Sequence, residues 1–542
     1  MNASPFDDVL RRSARSPVAI RLKGKLPHLL LRADADQAHG TGHVMRCLAL
    51  AEAWQQHDGR ATLLSCRLNP ELCRRTEALG IGLTEIPLPH PASSDLRAAC
   101  TVLEEVSRDD TALPWVVLDG HHFDTVYQSL LRSAGCRLMV IDDTAHLLRY
   151  DTDMILNQTL SAQQFAYTCS PDTLLLLGTR FTLLRSEFHR WHGTPRHCPE
   201  VARKILVTLG GSDADNATLK IIEALEQIST PDLEVRVVVG PLNPHLAQLQ
   251  SRMDSKSSQI RLETDATDIA SLMAWADLAV AGGGTTAWEL AFMKVPALVL
   301  TLSENQSEVA QALDEFGTAR SLGSPGDLDQ DQLAEAIFRL MHDRETRQQM
   351  SEKGRVVVDG RGAERALEVM LCGSRGSPLQ LRVASEEDML LLWQWANEAA
   401  TRRNSFSSEP ISWVSHQAWY AAKLVSSDTR LWVLELQKVP VGQIRYERTD
   451  PRTARISFSI APAYRGMGLG TQLLSLSADR AGRELKVDTV EAISFAENRA
   501  SNHAFLNAGF GVVEERHVAG HRCFVFRRSC SLRGAESDGI IS

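Results

Sequence analysis

The sequence predicts an α/β protein built in three consecutive blocks. Short apolar runs alternate with longer helical patterns along most of the chain, breaker-rich stretches cut it at two places, and glycine-rich turns recur where a strand-like run gives way to a helix. Strands alternating with helices indicate parallel sheets covered by helices. At roughly 100–200 residues per domain, a chain of 542 residues fills about three or four domains.

Residues 1–27 read as a flexible N-terminal extension: Met1 to Lys25 is basic and serine-containing but lacks the apolar stretch of a signal peptide. The first block spans 28–190. Its strand-like runs fall at 28–32, 61–65, 115–118 and 138–141, with helical patterns at 45–55, 94–107 and 125–134. A linker rich in proline, glycine and histidine follows at 191–199. The second block, 200–370, carries runs at 204–209, 235–239, 260–262, 278–281 and 297–300 and closes on a charged helical pattern over 330–370. The stretch Cys372-Gly373-Ser374-Arg375-Gly376-Ser377-Pro378 reads as a second linker. The third block, 379–530, has strand-like runs at 379–383, 430–436, 442–447, 454–460 and 489–493. Helices are expected at 386–399, at 413–424 and after Gly470, and residues 531–542 read as a flexible tail.

The charge balance, 58 Lys and Arg against 67 Asp and Glu, gives a formal net charge of -9. Nothing in it favours nucleic acid or an anionic membrane as a partner. No apolar run approaches the roughly 20 residues that span a bilayer. The ten cysteines form no C-x-x-C pair, so reduced thiols in a cytoplasmic protein are expected.

In the third block, Arg465-Gly466-Met467-Gly468-Leu469-Gly470 follows a strand-like run and opens a helix. Alternate glycines let backbone N–H groups face outward without Cβ obstruction. At a helix N-terminus those groups and the helix dipole make an anion site that suits a pyrophosphate, although a plain tight turn uses the same glycines. Asn498-Arg499-Ala500-Ser501-Asn502-His503-Ala504-Phe505 and Gly509-Phe510 follow downstream. Together these motifs resemble the GNAT N-acetyltransferase family over 379–528. The resemblance implies an α/β acyltransferase domain that uses acetyl-CoA as co-substrate. It places CoA on Arg465, Gly466, Met467, Gly468, Leu469 and Gly470, with a further contact at Asn498. Where many members carry a tyrosine that protonates the leaving thiolate, this chain has Phe505. Glu491, Ser494, Glu497 and His503 are nearby groups able to move a proton, and spacing singles out none of them. Trp393, Trp395, Trp413 and Trp419, with Arg402, Arg403 and His416, look like the first helices of members that acetylate amino sugars. Packing a core is the other use of such tryptophans.

In the first block, Arg32-Ala33-Asp34 ends a strand-like run and leads to Gly40-Thr41-Gly42-His43-Val44-Met45-Arg46. Ligands of open α/β sheets sit at the carboxyl ends of strands. His43 can therefore act there as a general base near neutral pH, or simply start a helix. The second block offers Gly210-Gly211-Ser212-Asp213 and Gly282-Gly283-Gly284-Thr285, each between a strand and a helix, which suits a diphosphate. Glu289 sits one turn further on, where it can accept hydrogen bonds from ribose hydroxyls. Asn305-Gln306 follows the next strand.

Two such domains resemble the GT-B fold of UDP-sugar enzymes. More narrowly, these motifs, with Asp142-Asp143, Asn157-Gln158 and Leu183-Leu184-Arg185-x-Glu187-Phe188, resemble the UDP-sugar hydrolases of the pseudaminic acid pathway. That resemblance implies release of UDP from UDP-2,4-diacetamido-2,4,6-trideoxy-β-L-altropyranose by water, with His43 as the base. It implies substrate contacts at Arg32, Asp34, Gly42, Arg46, Gly211, Ser212, Asp213, Gly283, Gly284, Thr285, Glu289, Asn305 and Gln306. No metal is expected, since no H-E-x-x-H pattern is present. His121-His122, beside Asp119 and Asp124, read as sugar-pocket or structural residues. The two resemblances together imply consecutive steps on one UDP-linked amino sugar, N-acetylation and then UDP removal. A glycosyltransferase in place of the hydrolase, and a GNAT-like module that binds CoA without catalysis, are the alternatives.

Overall fold

The structure is a computed structural model that describes residues 26–530, except 36–39, 67, 110–111, 257–258, 265, 267 and 373–378. The stretch 1–25 of the expected extension, the 373–377 linker and the tail at 531–542 lie outside the described residues. The described residues form three sheets.

The first sheet is fully parallel and has seven strands: β1 (Leu29–Ala33), β2 (Ala61–Ser65), β3 (Gly82–Glu85), β4 (Trp115–Asp119), β5 (Arg137–Ile141), β6 (Met154–Asn157) and β7 (Leu174–Leu177). Their order is β3-β2-β1-β4-β5-β6-β7. Every residue of β1 and β4 is buried, as expected for central strands covered on both faces. The sequence pattern missed β3, β6 and β7.

The second sheet is also parallel: β8 (Lys204–Thr208), β9 (Glu234–Val238), β10 (Ile260–Glu263), β11 (Leu278–Gly282), β12 (Ala297–Leu300) and β13 (Arg320–Gly323), in the order β10-β9-β8-β11-β12-β13. Both sheets reverse winding direction once, between β1 and β4 and between β8 and β11. Such switch points leave a crevice beyond the carboxyl ends of the strands.

The helical pattern at 330–370 resolves into three helices, Gln330–His342, Arg344–Val357 and Gly362–Cys372. Asp343 breaks the first from the second by capping it through the Thr346 amide. The last helix returns to the first domain, where Ala366, Leu367 and Met370 join its core. A Cβ on Gly362 would lie 2.1 Å from the Thr182 carbonyl oxygen, so only glycine allows that approach.

The third sheet contains β14 (Gln380–Val383), β15 (Thr429–Leu436), β16 (Val439–Asp450), β17 (Thr453–Ile460), β18 (Thr489–Phe495), β19 (Gly511–Val518) and β20 (His521–Ser529). Its order is β14-β15-β16-β17-β18-β20-β19, and only the β17–β18 pair is parallel. This domain docks on both others. The Tyr464 hydroxyl accepts from the Leu175 amide at 2.9 Å, on edge strand β7. Arg180 of the first domain lies 3.5 Å from Asp388. Trp393 and Trp413 pack edge-on against Phe316 of the second domain, with ring centroids 5.7 and 5.4 Å away. Among the described residues, no helix is long and apolar enough to cross a membrane.

Candidate active sites

The first switch point holds a histidine–carboxylate pair. His43 starts the helix Gly42–Gln55 just beyond β1, and Asp119 is the last residue of β4. The His43 Nδ1 lies 2.6 Å from Asp119 Oδ1. With the proton on Nδ1 and the carboxylate fixing it, Nε2 is the free basic nitrogen. Asp119 is fully buried. Arg46, one turn after His43, donates to it at 2.5 and 2.7 Å and also pairs with Asp143. Burial opposes ionisation of Asp119, but the Arg46 guanidinium and His43 hold its carboxyl well below the usual carboxylate range.

His121, two residues past β4, has its ring centroid 6.0 Å from His43 and 4.9 Å from His146. His121, Asp142 and His146 bring potential ligand atoms within 4.8 Å of one another. Asp142 is already occupied: Oδ1 accepts from the Thr144 and Ala145 amides, and Oδ2 from His146 Nδ1 and the Tyr150 hydroxyl. That arrangement favours an orienting role for Asp142 over metal ligation. Burial, with His146 and His43 nearby, pushes the His121 imidazole down. The neighbours suggested by sequence separate: Asp124 caps the helix Thr125–Ser133, and His122 Nε2 sits 3.3 Å from Asp34.

Arg32 is only 1% exposed and its guanidinium is committed to Asp34 at 2.6 and 2.8 Å and to Asp95 at 2.5 and 3.2 Å. Arg32 and Arg46 thus brace the crevice wall with buried ion pairs, and neither guanidinium is available as an open anchor.

The second switch point supplies the facing wall. Three glycine-bearing loops converge: a Cβ on Gly211 would meet the Thr41 amide nitrogen at 2.9 Å, and one on Gly42 the Thr285 hydroxyl at 3.4 Å. Gly40, at φ +71, lies near Ser212, whose hydroxyl a Cβ would meet at 3.9 Å. Asp213 caps the helix Ala217–Glu226 through the Ala217 and Thr218 amides at 2.8 and 2.9 Å, so it shapes the loop. Gln306 Oε1 accepts from the Gly283 and Leu302 amides, both at 3.1 Å. The Asn305 side chain lies outside the described residues. Gly284 caps the helix Thr285–Phe292 without using a side chain, which leaves the first-turn amides directed at the crevice.

Glu289 accepts from Arg185 of the first domain at 2.8 and 3.0 Å, both on Oε1. Burial raises the Glu289 carboxyl in spite of that cation. Sequence spacing could not show this bridge, because 104 positions separate the partners.

In the third domain, β17 and β18 pair only at Thr453–Thr489, Ala454–Val490 and Arg455–Glu491. Past those pairs the strands diverge, and the backbone groups facing the gap can bond an extended amide chain. The glycine loop lies at the end of β17. Gly466 and Gly468 have φ of +82 and +76, and the 17-residue helix Leu469–Leu485 starts there. Gly470 fits beside Phe458 and Ala504. The exposed Arg465 side chain is engaged within the domain: it donates to Glu398 at 2.8 Å and Thr401 at 3.0 Å. Burial works against ionisation of Glu398, but Arg465 and the Ala400 and Thr401 amides bring its carboxyl down to about 2. The side chain of Arg465 thus ties the loop to the helix Ala399–Arg403, and backbone amides are left for an anion. Asn498 caps the helix Arg499–Asn507 through the Ser501 amide.

Phe505 is a core residue, stacked on Phe526 at 5.0 Å and edge-on to Phe458 and Phe510. Among the other proton-moving groups, Glu491 is bonded to Arg527 and His503 is exposed. Trp395 is buried, and Trp393 and Trp413 form the interdomain contact, so these three serve packing.

Comparisons with known proteins fit this architecture. Residues 204–363 match the family model of the glycosyltransferase family 28 C-terminal domain, and residues 379–511 that of the acetyltransferase (GNAT) domain. The spore coat polysaccharide biosynthesis protein SpsG of Bacillus subtilis (strain 168) is 31% identical over 169 residues, 31% of this chain and 50% of SpsG. The uncharacterized protein MJ1062 of Methanocaldococcus jannaschii is 22% identical over 415 residues, 75% of this chain and 79% of that protein. The crystal structure of MurG from Acinetobacter baumannii superposes with a TM-score of 0.44 at 15% identity, over 64% of this chain and 99% of MurG. The match thus spans only half the length of SpsG. This chain joins a domain of the glycosyltransferase family 28 C-terminal type to a GNAT acetyltransferase domain.

Proposed function

We propose that the chain performs two steps on one UDP-linked amino sugar. The GNAT domain moves an acetyl group from acetyl-CoA to the 4-amino group of a UDP-4-amino-4,6-dideoxy sugar. The GT-B-like pair of domains then hydrolyses the product, UDP-2,4-diacetamido-2,4,6-trideoxy-β-L-altropyranose, to free sugar and UDP, as in pseudaminic acid biosynthesis. SpsG, whose name places it in polysaccharide biosynthesis, is consistent with a sugar substrate.

The observation that carries the hydrolase is the His43–Asp119 pair at the crevice between the glycine loops. His43 Nε2 takes a proton from water as the water oxygen bonds to the anomeric carbon. The bond from that carbon to the diphosphate oxygen breaks and its electron pair leaves with UDP. Asp119 holds the ring and stabilises the imidazolium. The first-turn amides after Gly283 take the diphosphate, and Glu289 the ribose hydroxyls. Arg32, Arg46 and Asp213 support this site from behind. In the acetyl step the neutral amine attacks the thioester carbonyl, the carbon–sulfur bond breaks with its electron pair leaving on the CoA thiolate, and the proton lost by the amine nitrogen reaches that thiolate through solvent, since position 505 holds no side-chain acid.

The family 28 match favours a second reading, transfer of the sugar to an acceptor in place of water. Mass spectrometry of the products from the UDP-4-amino sugar with acetyl-CoA tests the proposal. Acetylated free sugar and UDP are expected. Acetylated UDP-sugar that persists until an acceptor is added would replace the hydrolase with a transferase.

A further inference from the structure

The acetyltransferase domain carries an aromatic row that neither its fold nor the reaction above uses. Phe406, 47% exposed, lies between the helices Ala399–Arg403 and Trp413–Val425. Its ring meets Phe495 edge-on at 5.2 Å. Phe495 ends β18, beyond the last β17–β18 pair, and stacks on the exposed His521 ring at 4.5 Å. A cation joins this row. Phe495 pairs with Cys523, and Cys523 pairs with Arg516, and residues opposite each other in a ladder point to the same face. Arg516 Nε is buried without a hydrogen-bond partner, and no carboxylate pairs with this guanidinium among the described residues.

The other face of the sheet belongs to the donor side. Phe526 stacks there on Phe505 of the helix Arg499–Asn507, and a Cβ on Gly470 of the glycine loop would meet Ala504 of the same helix at 3.5 Å. The exposed Phe406 and His521 rings, backed by Phe495 and beside an unpaired guanidinium, match the chemistry of a nucleotide: an exposed ring stacks a planar base and the cation meets a phosphate. Because acetyl-CoA is assigned to the opposite side, this seat belongs to the acceptor.

We propose that Phe406, Phe495, His521 and Arg516 seat the nucleoside diphosphate of the acetyl acceptor, a UDP site separate from the one in the hydrolase crevice. The assignment to the acceptor rests on the function proposed above, but the binding claim does not. UDP titrated calorimetrically into the full chain is the test. Two UDP per chain are expected for wild type and one for Arg516→Ala. Phe406→Ala, on an exposed loop, is expected to weaken that same site by about tenfold. Acetyl transfer by these variants should show a raised KM for the UDP-amino sugar, an unchanged KM for acetyl-CoA and unchanged UDP release. A single UDP per wild-type chain, or two retained in both variants, would overturn the seat. Loss of one UDP site in a chain that acetylates no UDP-amino sugar would leave the seat standing and remove the proposed acceptor.

Discussion

The crevice between the two parallel-sheet domains and the glycine loop of the GNAT domain are built from different materials. In the crevice the side chains are fixed by buried charge: His43 on Asp119, Asp119 on Arg46, Arg46 on Asp143. In the acetyl site the side chains that look chemical are structural. Arg465 ties a helix, Asn498 caps one, and Phe505 fills the core. There the backbone of the glycine loop and of the diverging strands β17 and β18 is what the proposed function leaves to hold the donor. Substitutions should therefore abolish the first activity at single side chains and affect the second through backbone geometry.

The largest expected effect comes from His43→Gln. UDP release should fall by about 10²–10⁴-fold, the usual contribution of a general base, while acetyl transfer measured by free thiol stays at the wild-type rate. Asp119→Asn should lower UDP release by about 10²-fold or more through loss of ring orientation. It should also destabilise the chain by about 3–5 kcal/mol, because Arg46 loses a buried partner; steady-state kinetics and denaturant titration separate the two effects. Gly468→Val places a β-branched residue at φ +76 and should raise the KM for acetyl-CoA by about tenfold, since the left-handed turn costs about 1–2 kcal/mol. UDP release should not change.

The comparison also shows what sequence can convey. His43 and the glycine loops were readable because backbone demands and strand–helix boundaries leave local signatures. Asp119 was not, since it lies 76 residues from His43 and meets it only when β1 and β4 become neighbours. For the same reason Arg32 reads as a pocket residue, although Asp95, 63 positions away, and Asp34 bind its buried guanidinium. The tryptophans 393 and 413 suggested an acceptor pocket because their partner, Phe316, belongs to another domain. Strand β19 escaped detection because it is largely exposed and lacks an apolar alternation.

Two smaller effects sharpen the contrast. Phe505→Tyr restores the familiar hydroxyl but buries it among Phe458, Phe510 and Phe526. Acetyl transfer should change by less than about twofold and stability should fall by about 1–3 kcal/mol; a large rate gain would mean the ring reaches the thiolate after all. In acid the crevice should loosen. The Asp34, Asp119 and Asp142 carboxyls are held below their ordinary values. Their stabilisation is therefore complete above about pH 4 and is lost as pH falls further through the depressed folded-state values. Tryptophan fluorescence against pH, in wild type and Asp119→Asn, reads this as a shallower acid transition in the variant.

The most direct test of the account is UDP release from the diacetamido UDP-sugar in oxygen-18 water, with no acceptor present. Attack by water at the anomeric carbon, with His43 as base, predicts acceptor-independent release in which UDP carries no label, and near-complete loss of that release in His43→Gln. Label in the UDP phosphate, or release that waits for an added acceptor, would contradict it.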